Sequence, residues 1–195
     1  MALSTTYHVT EKQLKDEELC IKEALNNIAA FEPLYNFYYE RVLGFVYMRV
    51  DSKDVAYDIT ADVFHKALEN LKKYQFRGLP FSSWLFRIAL NEIGTMYRKQ
   101  KVRQTVSIES DGLPELYSEA FDSAQSPYGN EEETDKQLMN AIQTLDENEV
   151  QLVQMKYFEK MSFKEIAEVL ELEEGAMKMK LYRALEKLKS KMILK

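Results

Sequence analysis

Ser162-Phe163-Lys164-Glu165-Ile166-Ala167-Glu168-Val169-Leu170-Glu171-Leu172-Glu173-Glu174-Gly175-Ala176-Met177-Lys178-Met179-Lys180-Leu181-Tyr182-Arg183-Ala184-Leu185 is the stretch whose reading decides the fold. It opens with S-x-x-E ahead of an apolar run, the pattern of a helix whose first turn caps itself. The capped helix, Phe163 to Leu170, gives way to the three-residue turn Glu171-Leu172-Glu173. A basic amphipathic helix then runs from Gly175 to about Lys191. Helix, short turn and basic helix in that order make the layout of a helix-turn-helix, whose second helix enters the DNA major groove. Small Ala167 allows a close crossing. Ile166, Leu170, Met177 and Leu181 are expected between the helices, with Lys178, Lys180, Arg183 and Lys187 facing outward. A helical hairpin with a solvated charged face has the same periodicity. The complete succession of cap, turn and basic helix favours DNA binding.

Upstream, helical spacing continues and strand signals are nearly absent. Phe31, Leu34, Tyr35, Tyr38, Val42, Phe45 and Val46 follow the i, i+3, i+4, i+7 rule, and Ala56, Ile59, Val63, Ala67 and Leu71 share a face of a second helix. Gly78 and Pro80 break the pattern. A third helix is expected from Ser82 as N-cap, with Trp84, Leu85, Ile88, Ala89 and Ile93 inward. In the C-terminal part, Leu138, Ile142 and Leu145 predict one helix and Val150 to Phe158 another. The expected fold is all-α: two small helical domains, 31–103 and 135–195, joined by a flexible acidic linker over 104–134, with 1–30 as an N-terminal extension of no assigned role.

Charge is segregated. The net value of −6 covers a basic block, 12 bases to 7 acids over 33–103, and a connector, 104–135, with nine acids and no base. The connector's glycines, prolines and serines suit a linker. Between Tyr74 and Arg103, aromatic residues (Tyr74, Phe76, Phe81, Trp84, Phe86, Tyr97) interleave with Arg77, Arg87, Arg98 and Lys99. Aromatic faces stack on unpaired bases while cations track the backbone, so this block suits locally opened DNA. Taken alone, Trp84 fits core packing better. Asp54, Asp58, Asp62 and Glu69 form an acidic stripe that repels DNA and accepts a basic or polar partner; a solvated face is the ordinary explanation of such a run.

Several classes are excluded. The lone cysteine, Cys20, allows no internal disulfide, and with His8 and His65 far apart there is no zinc spacing. No Gly-rich phosphate loop or nucleophile with an evident base is present, so no enzyme and no cofactor are expected. No run of ~18 apolar residues predicts a membrane span, and residues 1–15 lack a signal-peptide core. A cytoplasmic protein without membrane insertion is expected.

Together these pieces resemble the extracytoplasmic-function (ECF) sigma factors of the sigma-70 family. Phe31-x-x-Leu34-Tyr35-x-x-Tyr38, Asp58-Ile59-Thr60-Ala61-Asp62-Val63-Phe64, Phe76-Arg77-Gly78 and Trp84-Leu85-x-x-Ile88-Ala89-x-Asn91 look like sigma region 2. Leu145, Ser162-x-x-Glu165-Ile166-Ala167-x-x-Leu170 and Tyr182-Arg183-Ala184-Leu185-x-x-Leu188 look like region 4. The resemblance implies core RNA polymerase and promoter DNA as partners, with an anti-sigma factor as a further candidate. Core polymerase is expected on Asp54, Asp58, Asp62 and Phe64. The promoter's −10 element is expected on Phe76, Arg77, Gly78, Trp84, Arg87, Asn91 and Arg98, where a base is flipped from the opened strand. The −35 element falls to Lys178, Lys180, Tyr182, Arg183 and Lys187, and the acidic connector to the polymerase channels. The chain departs from the family pattern at Ala61, Leu90, Thr95 and the acids Glu173 and Glu174 that open the recognition helix. Two other readings stand beside this one: a sigma-like protein that only sequesters an anti-sigma factor, and a dimeric helix-turn-helix regulator.

Overall fold

The computed structural model describes residues 10–104 and 141–193. The linker expected over 104–134 and the helix expected around Leu138 therefore lie almost wholly outside the described residues. What is described divides into two units, 10–104 and 141–193, each helical and, among the described residues, without a strand.

Among the described residues the first unit has four α-helices: α1 (Glu11–Ala24), α2 (Glu32–Tyr47), α3 (Lys53–Glu69) and α4 (Phe81–Gln104). Local sequence starts the first three. Thr10 and Gln13 close a reciprocal capping box on α1, Pro33 sits in the first turn of α2, and the Ser52 hydroxyl accepts from the Val55 N–H at 3.2 Å to begin α3. The apolar stripes read from the sequence become the core. Leu34, Tyr38, Val42, Phe45 and Val46 of α2 are buried, as are Ala56, Ile59, Val63 and Ala67 of α3. The α4 contribution includes Phe81, Leu85, Phe86 and Ala89, and Phe86 meets Phe45 with ring centroids 4.4 Å apart. Tyr35 departs from its stripe and stays partly exposed.

Helix α4 begins differently from its expectation. Ser82 is not the N-cap; it lies buried inside the first turn, and the helix starts at Phe81. The Phe81 N–H instead donates to the Glu17 carboxylate of α1 at 2.8 Å. A cap supplied from another helix removes the need for a local one. The stretch ahead of Phe31 is thus partly structural, since Glu17, Ile21 and Ala24 of α1 are buried in this unit.

The second unit contains α5 (Glu147–Val153), α6 (Phe163–Leu170) and α7 (Glu174–Ile193). Asp146 and Glu149 form a capping box on α5. The helix expected to continue to Phe158 widens into a π-helical turn over Gln154–Phe158, closed by the Glu159 N–H on the Gln154 carbonyl at 3.1 Å. Lys160 then adopts a left-handed backbone, φ 54°, and Met155 and Met161 turn into the core. The predicted Ser162/Glu165 box is present, with Glu165 accepting from the Ser162 N–H at 2.7 Å and donating its own N–H to the serine hydroxyl at 3.2 Å. Glu171 ends α6 in the left-handed region, and its turn delivers α7 against α6 through Ile166, Ala167, Met177 and Leu181, all buried.

Candidate nucleic-acid and partner interfaces

On α3 the buried stripe fixes what faces water. With Ala56, Ile59, Val63 and Ala67 inward, Asp54, Asp58 and Asp62 fall at i, i+4 and i+8 on the opposite side, and all three are exposed. Glu69 extends the acidic face and meets His65 Nδ1 at 3.6 Å. Phe64 does not belong to that surface. It is 2% exposed, because its ring is wedged beside Phe31 and under Tyr35 and Tyr39, with centroids 6.5, 4.8 and 6.2 Å away. Its place is in the core beneath the acidic face. The neighbours that do reach solvent are tyrosines: Tyr35, which the sequence reading put on the buried stripe of α2, and Tyr57, which it passed over. The signal for them was there: tyrosine at a stripe edge carries a hydroxyl that seeks water.

The aromatic–basic block resolves into a loop and a helix face. Phe76 is half-buried, and Arg77 and Gly78 are exposed. Gly78 holds φ at +69°, a conformation that glycine adopts without steric penalty. On α4, Trp84, Arg87, Asn91 and Arg98 stand at i, i+3, i+7 and i+14 and so share one side of the helix. Trp84 is half-buried, with Tyr74 at 5.0 Å and Phe81 at 5.5 Å between ring centroids, so part of the indole is core and part is available. Arg87 is half-buried; Asn91 and Arg98 are exposed. The Arg98 guanidinium folds back onto its own helix, donating to the Gly94 carbonyl at 3.2 Å and to the Thr95 hydroxyl at 3.0 Å.

Behind that face lies a buried polar cluster. The Glu17 carboxylate accepts one bond from the Tyr38 hydroxyl of α2 and one from the Phe81 N–H of α4. Burial, and then the adjacent Glu17 charge, push the Tyr38 hydroxyl far above the ordinary tyrosine range, so it remains a donor at any physiological pH. Arg41 Nη1 donates to the Ser82 hydroxyl at 3.4 Å beside it. An acid at the position of an apolar stripe (Glu17 with Ile21 and Ala24, at i, i+4 and i+7) is the trace this cluster leaves in the sequence.

On α7 the core side is Met177, Leu181, Ala184 and Leu188. Arg183 is exposed on the side facing away from this stripe, with Lys180, also exposed, on its flank. Tyr182 is 56% exposed, as is Met179, an apolar side chain the sequence reading did not single out. Two expected basic contacts are engaged within the unit. Lys178 pairs with Glu174 at 2.6 Å, its ammonium 5.2 Å from the centre of the Phe163 ring. Lys187 does not simply face outward. Its ammonium reaches Glu149 of α5 at 2.5 Å, because the α5 capping box aims that carboxylate at the last turns of α7. Glu173 and Glu174 are exposed at the helix start. Among the described residues no helix is long and apolar enough to cross a membrane, and no group of histidine, cysteine and acidic side chains is arranged to hold a metal ion.

Comparison with known proteins gives this geometry a family. The model of sigma-70 region 2 matches residues 34–103, and that of sigma-70 region 4 matches 135–188. The ECF RNA polymerase sigma factor BldN of Streptomyces coelicolor is 28% identical over 172 residues, 88% of this chain and 63% of that protein. The chain thus spans somewhat under two thirds of that relative. It spans 92% of the RNA polymerase sigma factor YlaC of Bacillus subtilis, at 27% identity over 84% of its own length. The ECF RNA polymerase sigma-E factor of Escherichia coli is 28% identical, over 92% of this chain and 95% of that one. Among solved structures, CnrH in complex with the cytosolic domain of CnrY aligns with a TM-score of 0.61 at 21% identity, over 90% of this chain and 95% of that one. The sigma factor RpoE of Bartonella quintana, solved with the anti-sigma factor NepR, gives 0.59 at 19%, over 84% and 97%; at such identities the likeness speaks for the fold. The sigma-70 family is not a class of enzymes. Region 2 and region 4 models in this order, over most of the chain, and relatives that carry the name establish that the chain belongs to the sigma-70 family, in its ECF group.

Proposed function

We propose that this chain binds core RNA polymerase through the exposed acidic face of α3 and directs it to promoters, reading an opened −10 element with the 76–78 loop and α4, and a duplex −35 element with α7. The observation that carries the reading is the presence, in one small unit, of two chemically opposite faces. Asp54, Asp58 and Asp62 make one that repels DNA; Trp84, Arg87, Asn91 and Arg98 make one that attracts it. Such a unit suits a protein that holds a protein partner and an unpaired strand together. In the second unit Lys180, Tyr182 and Arg183 supply the outward contacts, Arg183 and Lys180 to phosphates or base edges and Tyr182 by its ring. The place of action is the cytoplasm, where polymerase is. An anti-sigma factor is a further partner of this reading, by analogy with the solved relative that carries one.

The test is reconstitution. The full chain is added to sigma-free core polymerase of the same organism, and run-off transcripts from a genomic template are sequenced. Specific starts that vanish with Asp58→Arg/Asp62→Arg support the reading. Core binding without initiation points to a decoy, and absence of core binding leaves the stand-alone helix-turn-helix regulator.

A further inference from the structure

We infer that α1, which precedes the residues matched by the region 2 model, belongs to the promoter-opening apparatus, with Glu17 as the residue that positions the start of α4. The inference rests on the functional reading above and names a component that reading leaves out.

Helix α4 carries three of its four expected single-strand contacts, Trp84, Arg87 and Asn91, within its first three turns, and the loop with Gly78 runs directly into it. The direction of its first turn therefore sets where Trp84 and Arg87 stand relative to Phe76 and Arg77. A helix start leaves its first N–H groups without intrahelical acceptors, and the residue ahead of α4, Pro80, has no side-chain oxygen to accept from them, unlike Thr10, Ser52, Asp146 and Ser162 ahead of α1, α3, α5 and α6. The Glu17 carboxylate takes that role from α1, accepting from the Phe81 N–H at 2.8 Å, while its other oxygen is held by Tyr38 of α2. Glu17 is 7% exposed, so both bonds are shielded from water, and a carboxylate there also complements the positive end of the helix dipole. The Phe81 ring is fully buried, against Phe31 at 5.9 Å and Tyr74 at 5.2 Å between centroids. One acidic side chain thus ties three helices to the joint between the loop and the reading helix. When a strand is opened and a base drawn out, the load falls on that joint.

The experiment uses the full chain with core polymerase, on a promoter selected by the wild-type holoenzyme. Each variant is assayed on fully paired template and on the same template with the −10 region held open by mismatches. Glu17→Gln keeps the side chain's shape but weakens the charge-assisted bond. Tyr38→Phe keeps the buried ring and removes the other partner, serving as the second probe should Glu17→Gln fold poorly. The expected result is a loss of open complexes on paired DNA of about tenfold, the order of weakening one hydrogen bond to a charged group. Core binding and activity on pre-opened template should stay within about twofold of wild type. Equal losses on both templates, tracking a lower melting temperature, would reduce Glu17 to a stability element and overturn the inference. Full opening of paired DNA by both variants overturns it as well. Failure of the wild-type chain on both templates strikes the functional reading itself, a result distinct from either.

Discussion

Replacing Asp58 by arginine should make the protein more stable and its complex with polymerase weaker. Asp58 stands between Asp54 and Asp62 at helical spacing of four, and all three are exposed. Like charges so spaced destabilise a helix by roughly 0.2–0.5 kcal/mol per pair, and opposite charges stabilise it by a similar amount. Asp58→Arg converts two repulsive pairs into two attractive ones, a gain of about 1 kcal/mol, less in salt. No buried group is touched, since the α3 core face is Ala56, Ile59 and Val63. If the stripe is the polymerase surface, reversal of a central charge replaces attraction by repulsion across a desolvated contact. The expected cost is about 2 kcal/mol or more, a loss of affinity of at least roughly 30-fold. Circular dichroism melting reads the first effect, and titration of labelled protein with core polymerase at two salt concentrations reads the second. A more stable variant that binds core as tightly as wild type would refute the assignment of the stripe. A less stable one would refute the argument about repulsion within α3.

Other outcomes follow from the same geometry. Ser162→Ala removes one half of the α6 capping box and should destabilise the second unit by about 1 kcal/mol, read as a lower melting transition for that unit. Lys180→Ala and Arg183→Ala should each weaken binding to −35 duplex and flatten its salt dependence by about one charge, whereas Lys187→Ala, whose ammonium is held by Glu149, should alter the salt slope less. Band-shift titrations of the holoenzyme at several salt concentrations rank the three, and an equal effect of Lys187→Ala would argue against the ion pair. Gly78→Ala meets no atom within 4 Å at its new methyl, so its cost is the backbone alone, about 1 kcal/mol for a left-handed alanine, seen in the melting of the first unit with core binding retained.

The sequence alone determined the helical class, the two matched regions and the turn between α6 and α7, because each rests on local rules. Ser162 and Glu165 are three residues apart and cap one another whatever surrounds them. The 3.6 period likewise assigns Val42, Val63 and Leu181 to the core without reference to a partner. The exposed acids of α3 were legible for the same reason, as the complement of a buried stripe. Tertiary structure decided what depends on distant residues. Phe64 reads as a surface neighbour of Asp62 but is covered by Tyr35 and Tyr39 of another helix. Lys187 reads as a free cation until Glu149, thirty-eight residues away, comes within 2.5 Å. The start of α4 reads as a serine cap, yet the acceptor comes from Glu17, sixty-four residues upstream. Local sequence fixes which way a side chain leaves its helix; only packing between helices brings its partner to it.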